Sequence, residues 1–132
     1  MKYVLLLGRI LFSSIFIVKS FEHMSEHTLN HAISMGVPVA HVLVPLAGIL
    51  AFLGGVSILL GYKARIGAWL LVIFLVPTTF MIHRFWDMKD GHIVMLQHLC
   101  FLKNFSMIGA VLMVAYFGSG PMSLSKERRS KK

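Results

Sequence analysis

Lys19, His83, Lys103 and Asn104 are polar residues set at the ends or in the middle of long apolar runs, and Arg9 and Trp86 share that setting. A cation at the centre of a membrane-spanning helix costs about 2.5–3.5 kcal/mol on insertion scales, so such residues face a protein interior, a cavity or the interface. The five acids, Glu22, Glu26, Asp87, Asp90 and Glu127, all lie at the ends of the apolar runs or beyond them. No carboxylate is therefore placed at the depth of Arg9 or Lys103. Hydrogen-bond donors around an apolar pocket that is short of negative charge suit a ligand with acceptor oxygens on a hydrophobic body. A quinone head fits that description, and so does a phospholipid headgroup. In this reading Lys103, Asn104 and His83 donate to the oxygens, Lys19 adds positive potential and Trp86 flanks the ring. A cation beside a quinone stabilises the anion that develops on reduction. Arg9 belongs to a separate inner site that faces lipid.

Each of these residues also has a simpler use. Lys19 can snorkel to the outer interface and pair with Glu22 three residues on, and Arg9 can snorkel to the inner one. His83 can be held by Asp87 one turn later, and a tryptophan such as Trp86 is commonly a belt anchor at the interface. Gln97, Cys100 and Asn104 share one helix face by their spacing of three and four. His23, His27 and His31 recur every four residues, which stacks them on one helical face where two imidazoles can share a transition metal. The drift of that stripe over two turns spoils a three-histidine site, so no metal site is assigned. Cys100 is the single cysteine, which leaves no CxxC pair for thiol exchange. No serine or cysteine has a recognisable base, so hydrolase chemistry is not indicated.

The elements that must place these residues are membrane helices. Of 132 residues, 57% are apolar and 14% charged, too little polar surface for a soluble domain of this length. Four stretches reach the roughly 20 residues a span needs: Tyr3 to Phe21, Val42 to Tyr62, Ile66 to Trp86 and Ile93 to Phe117. The fold class is thus all-α, an integral membrane four-helix bundle, with residues 1–120 as the four-span domain and 121–132 as a basic tail. The net charge of +8 is distributed as a topology signal rather than a nucleic-acid surface. Lys2, Lys63, Arg65 and the cations from Lys126 to Lys132 all precede, link or follow spans on one side, which places both termini in the cytoplasm by the positive-inside rule. The tail also attracts anionic lipid. Arg9 interrupts the first apolar run and no small-residue cleavage site follows it, so that run reads as a retained anchor rather than a signal peptide.

Between the first two spans, Leu29, Ile33 and Val37 recur at four-residue steps and predict a short interfacial helix ending before Pro38. Ala47, Ala51 and Gly55 line one face of the second span, where another helix backbone can approach closely. Only Lys63 to Arg65 separate the second and third runs, which makes them an antiparallel hairpin. Pro77 removes a backbone donor inside the third span and predicts a kink there.

The order and spacing of several short fragments carry a family resemblance. They are Gly8-Arg9-Ile10 with Phe16 and Lys19; Gly36-Val37-Pro38; Gly54-Gly55 with Leu60-Gly61 and Arg65; His83 with Phe85-Trp86; Phe101-Leu102-Lys103-Asn104 followed by Gly109; and Gly118-Ser119-Gly120-Pro121 with Ser123-Leu124. Taken together the chain resembles the DoxX family along nearly its whole length. Ser125 stands where an acidic residue is common in that pattern. The resemblance implies a four-helix protein of the bacterial inner membrane, from a family that includes a subunit associated with thiosulfate oxidation by quinone and partners in oxidative-stress complexes. It places Arg9, Lys19, His83, Trp86, Lys103 and Asn104 on motif positions. The expected function is a quinone- or lipid-contacting accessory subunit of a membrane redox complex. Its partners would be the bilayer, an oxidoreductase or other membrane protein that supplies electrons, and in some assemblies a second copy of the chain, with no nucleic acid. The rival expectation is a non-catalytic assembly factor that binds another membrane protein through its small-residue face.

Overall fold

The structure, a computed structural model, describes residues 1–125; the basic run from Lys126 to Lys132 lies outside the described residues. It contains helices α1 (Lys2–Glu22), α2 (Glu26–Ser34), α3 (Ala40–Leu60), α4 (Ala64–Met81) and α5 (Gly91–Phe117), with one 3-10 turn at Phe85–Asp87. Four segments are long and apolar enough to cross a membrane: α1, α3, α5, and α4 together with the turn that follows it. Large apolar side chains such as Leu11, Val42, Ile73 and Met113 are exposed on the outer surface of the bundle, as lipid-facing residues must be.

Packing follows stripes of small and apolar residues. On α1 the buried positions are Arg9, Ser13, Phe16 and Ser20, spaced four, three and four apart along one helical face. That face meets α3, which also packs on α4, and α4 packs on α5. The Ala47–Ala51–Gly55 face is used inside the chain: Ala51 is fully buried, and a Cβ on Gly55 would stand 3.2 Å from Phe16 Cβ. The tightest approach is between α3 and α4, where a Cβ on Gly54 would lie 2.8 Å from the carbonyl oxygen of Gly67. Phe16, Ile58, Leu71, Leu75 and Val111 form the centre of the core.

Local chemistry sets the helix limits. Ser25 caps α2, its Oγ accepting from Thr28 N at 3.3 Å, and Asp90 caps α5 by accepting from His92 N at 2.9 Å. Gly36, at φ 77°, closes α2, so the interfacial helix forms where the apolar spacing places it. Its Ala32 packs on Ala40 and Val44 of α3. The hairpin between α3 and α4 turns at Gly61, φ 67°, where a side chain would collide with the Arg9 guanidinium and with Ser123.

Helix α4 stops at Met81, five residues before the sequence-based limit at Trp86. Two tertiary hydrogen bonds hold the chain in its non-helical course beyond it. His83 Nδ1 donates to Gln97 Oε1 at 2.7 Å, and Arg84 Nη2 donates to the Met35 carbonyl at 2.8 Å. Pro77 lies within α4, with Thr78 and Thr79 on its C-terminal side donating to the carbonyls of Phe74 and Leu75.

The two ends of the bundle differ. At one, the N-terminal half of α1, the α3–α4 turn and the segment after α5 come together: Leu124 N donates to Leu60 O, and Ser125 N donates to Gly61 O. At the other lie α2, with His27 and His31, and the link from α4 to α5. Both ends of the described chain therefore sit on the same side of the bundle.

Candidate functional site

A cavity of about 550 Å³ occupies the histidine half of the bundle. All four spanning segments and α2 contribute to its wall, which is mostly apolar, with Phe16, Val44, Leu50, Phe74 and Met107 among the lining side chains. Lys19, His83, Lys103 and Asn104 all line it, so α1, α5 and the link after α4 bring these residues to one hollow.

Their geometry differs residue by residue. Lys19 Nζ is ion-paired with Glu22 at 2.6 Å, the local pairing that a three-residue spacing allows, so its charge is already matched. Lys103 is the thirteenth of the 27 residues of α5, about 18 Å along the axis from Gly91. Among the described residues nothing hydrogen-bonds or ion-pairs with it. Asn104 is only 5% exposed, and its amide likewise has no protein partner among the described residues. Its amide is not among the fully enclosed polar atoms that lack a partner, so it keeps some access, and Asn104 borders the cavity. Cys100, on the same helix face, also lines the wall.

His83 does not pair with Asp87, as the sequence had suggested. Asp87 lies 3.5 Å from Arg84 instead, because the chain after α4 leaves the helical course that a four-residue pairing needs. With Gln97 Oε1 as acceptor, the neutral His83 ring carries its proton on Nδ1 and presents Nε2 as a lone pair.

Two expected site residues lie elsewhere. Arg9 does not snorkel to lipid: it is 8% exposed, with Nη1 donating to Ser119 O at 3.2 Å and Nη2 to Met122 O. The segment after α5 folds back over it, a contact across 110 residues that no local spacing signals. Trp86 is not part of the cavity wall. It packs on Phe85 at 5.2 Å and Phe101 at 5.9 Å, within an aromatic cluster that also holds Phe80, Phe105 and His98.

His27 and His31 are exposed, as the sequence leads one to expect for an outer connection, and together with His23 they also border the cavity. Their four-residue spacing was the available signal; what it lacked was the fold of α2 back across the mouth of the bundle. His23 Nδ1 donates to Lys19 O at 2.8 Å, and its ring meets Phe74 edge-on at 5.4 Å. Among the described residues no group of three or more His, Cys, Asp or Glu side chains is arranged to hold a metal ion.

Comparison with known proteins places this architecture. The family model described as DoxX matches residues 4–84. Inner membrane protein YphA of Escherichia coli (strain K12) is 31% identical over 125 residues, covering 93% of this chain and 89% of the relative. Inner membrane protein YqjF of the same organism is 30% identical over 123 residues, covering 92% and 88%. Both alignments are long enough to take in α5, which the family match does not reach. No solved structure matches the chain.

Proposed function

This chain is an inner-membrane protein of the DoxX family, and we propose that its cavity receives the head of a membrane-borne quinone, the chain serving as an accessory subunit of a membrane redox complex. The observation that carries this reading is Lys103 and Asn104, without a partner among the described residues, on the wall of an apolar hollow of about 550 Å³, within the size range of cofactor sites. Lys103 and the Asn104 amide donate to one quinone oxygen. His83 Nε2 accepts from a hydroxyl once the ring is reduced to the quinol. Phe16, Phe74 and Met107 contact the apolar part of the head. Electrons come from a partner oxidoreductase, since this donor set supplies polarity and proton exchange but no electron carrier of its own.

Of the Ala47, Ala51 and Gly55 face that supports the assembly-factor reading, Ala51 is fully buried and Gly55 packs on α1, while Ala47 borders the cavity. The test is substitution in the copurified complex. Lys103→Ala and Asn104→Ala are expected to lower quinone-dependent activity by about tenfold or more each while leaving the complex assembled. Lost assembly with quinone binding unchanged would overturn the proposal.

A further inference from the structure

The charges around the cavity do not balance. Lys19 is neutralised by Glu22 at 2.6 Å, and Glu22 is the one carboxylate among the lining residues. Lys103 is left over, near the middle of a 27-residue membrane helix. The remaining titratable groups facing this space from α1, α2 and the link after α4 are His23, His27, His31 and His83, which are neutral or positive but never negative; Cys100 adds only a weakly acidic thiol from α5. The hollow thus carries at least one uncompensated positive charge in surroundings of low dielectric, where an opposite charge is attracted far more strongly than in water.

We propose that the guest bears a full negative charge on the oxygen that meets Lys103 and Asn104: an ionised enol or carboxylate attached to a hydrocarbon body, such as an acidic hydroxyquinone, in preference to its uncharged counterpart. This deepens the quinone reading and rests on the same cavity. Asn104, 5% exposed, supplies the second donor to that oxygen from a wall that is mostly apolar, while the exposed Lys103 beside it brings the charge. The tail of the guest runs along the apolar wall lined by α3 and α4.

Two matched pairs of probes test this on the full chain in uncharged detergent. One is a 2-hydroxy-3-alkyl-1,4-naphthoquinone against its 2-methoxy analogue; the other is a long-chain fatty acid against its methyl ester. Binding is measured by titration calorimetry at a pH where both acids are ionised. The ionised member of each pair is expected to bind about tenfold tighter or more. Lys103→Met removes the preference and Lys103→Arg retains it. If Lys103→Met does not fold, the comparison on the unaltered protein still decides. Equal binding of the hydroxy and methoxy quinones overturns the charge inference and leaves the quinone reading standing. Preference for the fatty acid with neither quinone bound supports the charge inference and overturns the quinone reading. No binding of any probe overturns both.

Discussion

Lys103 draws its consequence from depth. The same side chain near a helix end would reach the interface, but at the thirteenth position of α5 its ammonium sits beside a cavity with no protein anion among the described residues to meet it. Arg9 is the contrasting case, a membrane cation whose two terminal nitrogens are bonded within the chain, although its buried Nε has no partner among the described residues. Its guanidinium is spent on the carbonyls of Ser119 and Met122, and the absence of a side chain at Gly61 leaves room for it. Arg9→Ala is expected to cost about 2 kcal/mol or more, from the loss of charge-assisted bonds to buried carbonyls. The fall would be read as a lower unfolding midpoint in detergent, together with faster proteolysis of the segment after Phe117. An unchanged midpoint would contradict the anchoring role.

Among the elements, the α3–α4 hairpin has the least tolerance. A Cβ on Gly54 would lie 2.7 Å from Leu71 Cδ2 and 2.8 Å from the Gly67 carbonyl, and the second of these is backbone that cannot step aside. Gly54→Val is expected to destabilise the protein by about 1–3 kcal/mol, whereas Gly109→Ala, with nothing within 4 Å of its Cβ, is expected to be neutral or slightly stabilising. Thermal unfolding of both variants checks this. The elements themselves were largely legible, because apolar run length and the short Lys63 to Arg65 connection are local signals. The meeting of Lys19, His83, Lys103 and Asn104 could be read from their common depth on successive spans. What could not be read depends on contacts between distant parts of the chain. The Gly54–Gly67 approach joins two helices, the His83–Gln97 bond forms only once α4 ends early, and the histidines of α2 reach the cavity only because that helix folds back on α3.

For the whole molecule, one end gathers both ends of the described chain and the α3–α4 turn, and the other holds α2, the histidines and the cavity. Lys2, Lys63 and Arg65 belong to the first end, and by the positive-inside rule we propose that this end faces the cytoplasm and the cavity the outer leaflet. In a Cys100→Ser background, Lys89→Cys is expected to react with a membrane-impermeant maleimide in intact spheroplasts, and Tyr62→Cys only after permeabilisation. The reverse pattern would invert the molecule. That orientation leaves the central claim unchanged, which is that the unpaired donors of the cavity are met by a guest drawn from the membrane. Native mass spectrometry of the gently released protein tests it most directly. The account predicts one small-molecule adduct of quinone mass per chain, lost in Lys103→Met; a bare chain mass in the unaltered protein, or an adduct held equally by the variant, would contradict it.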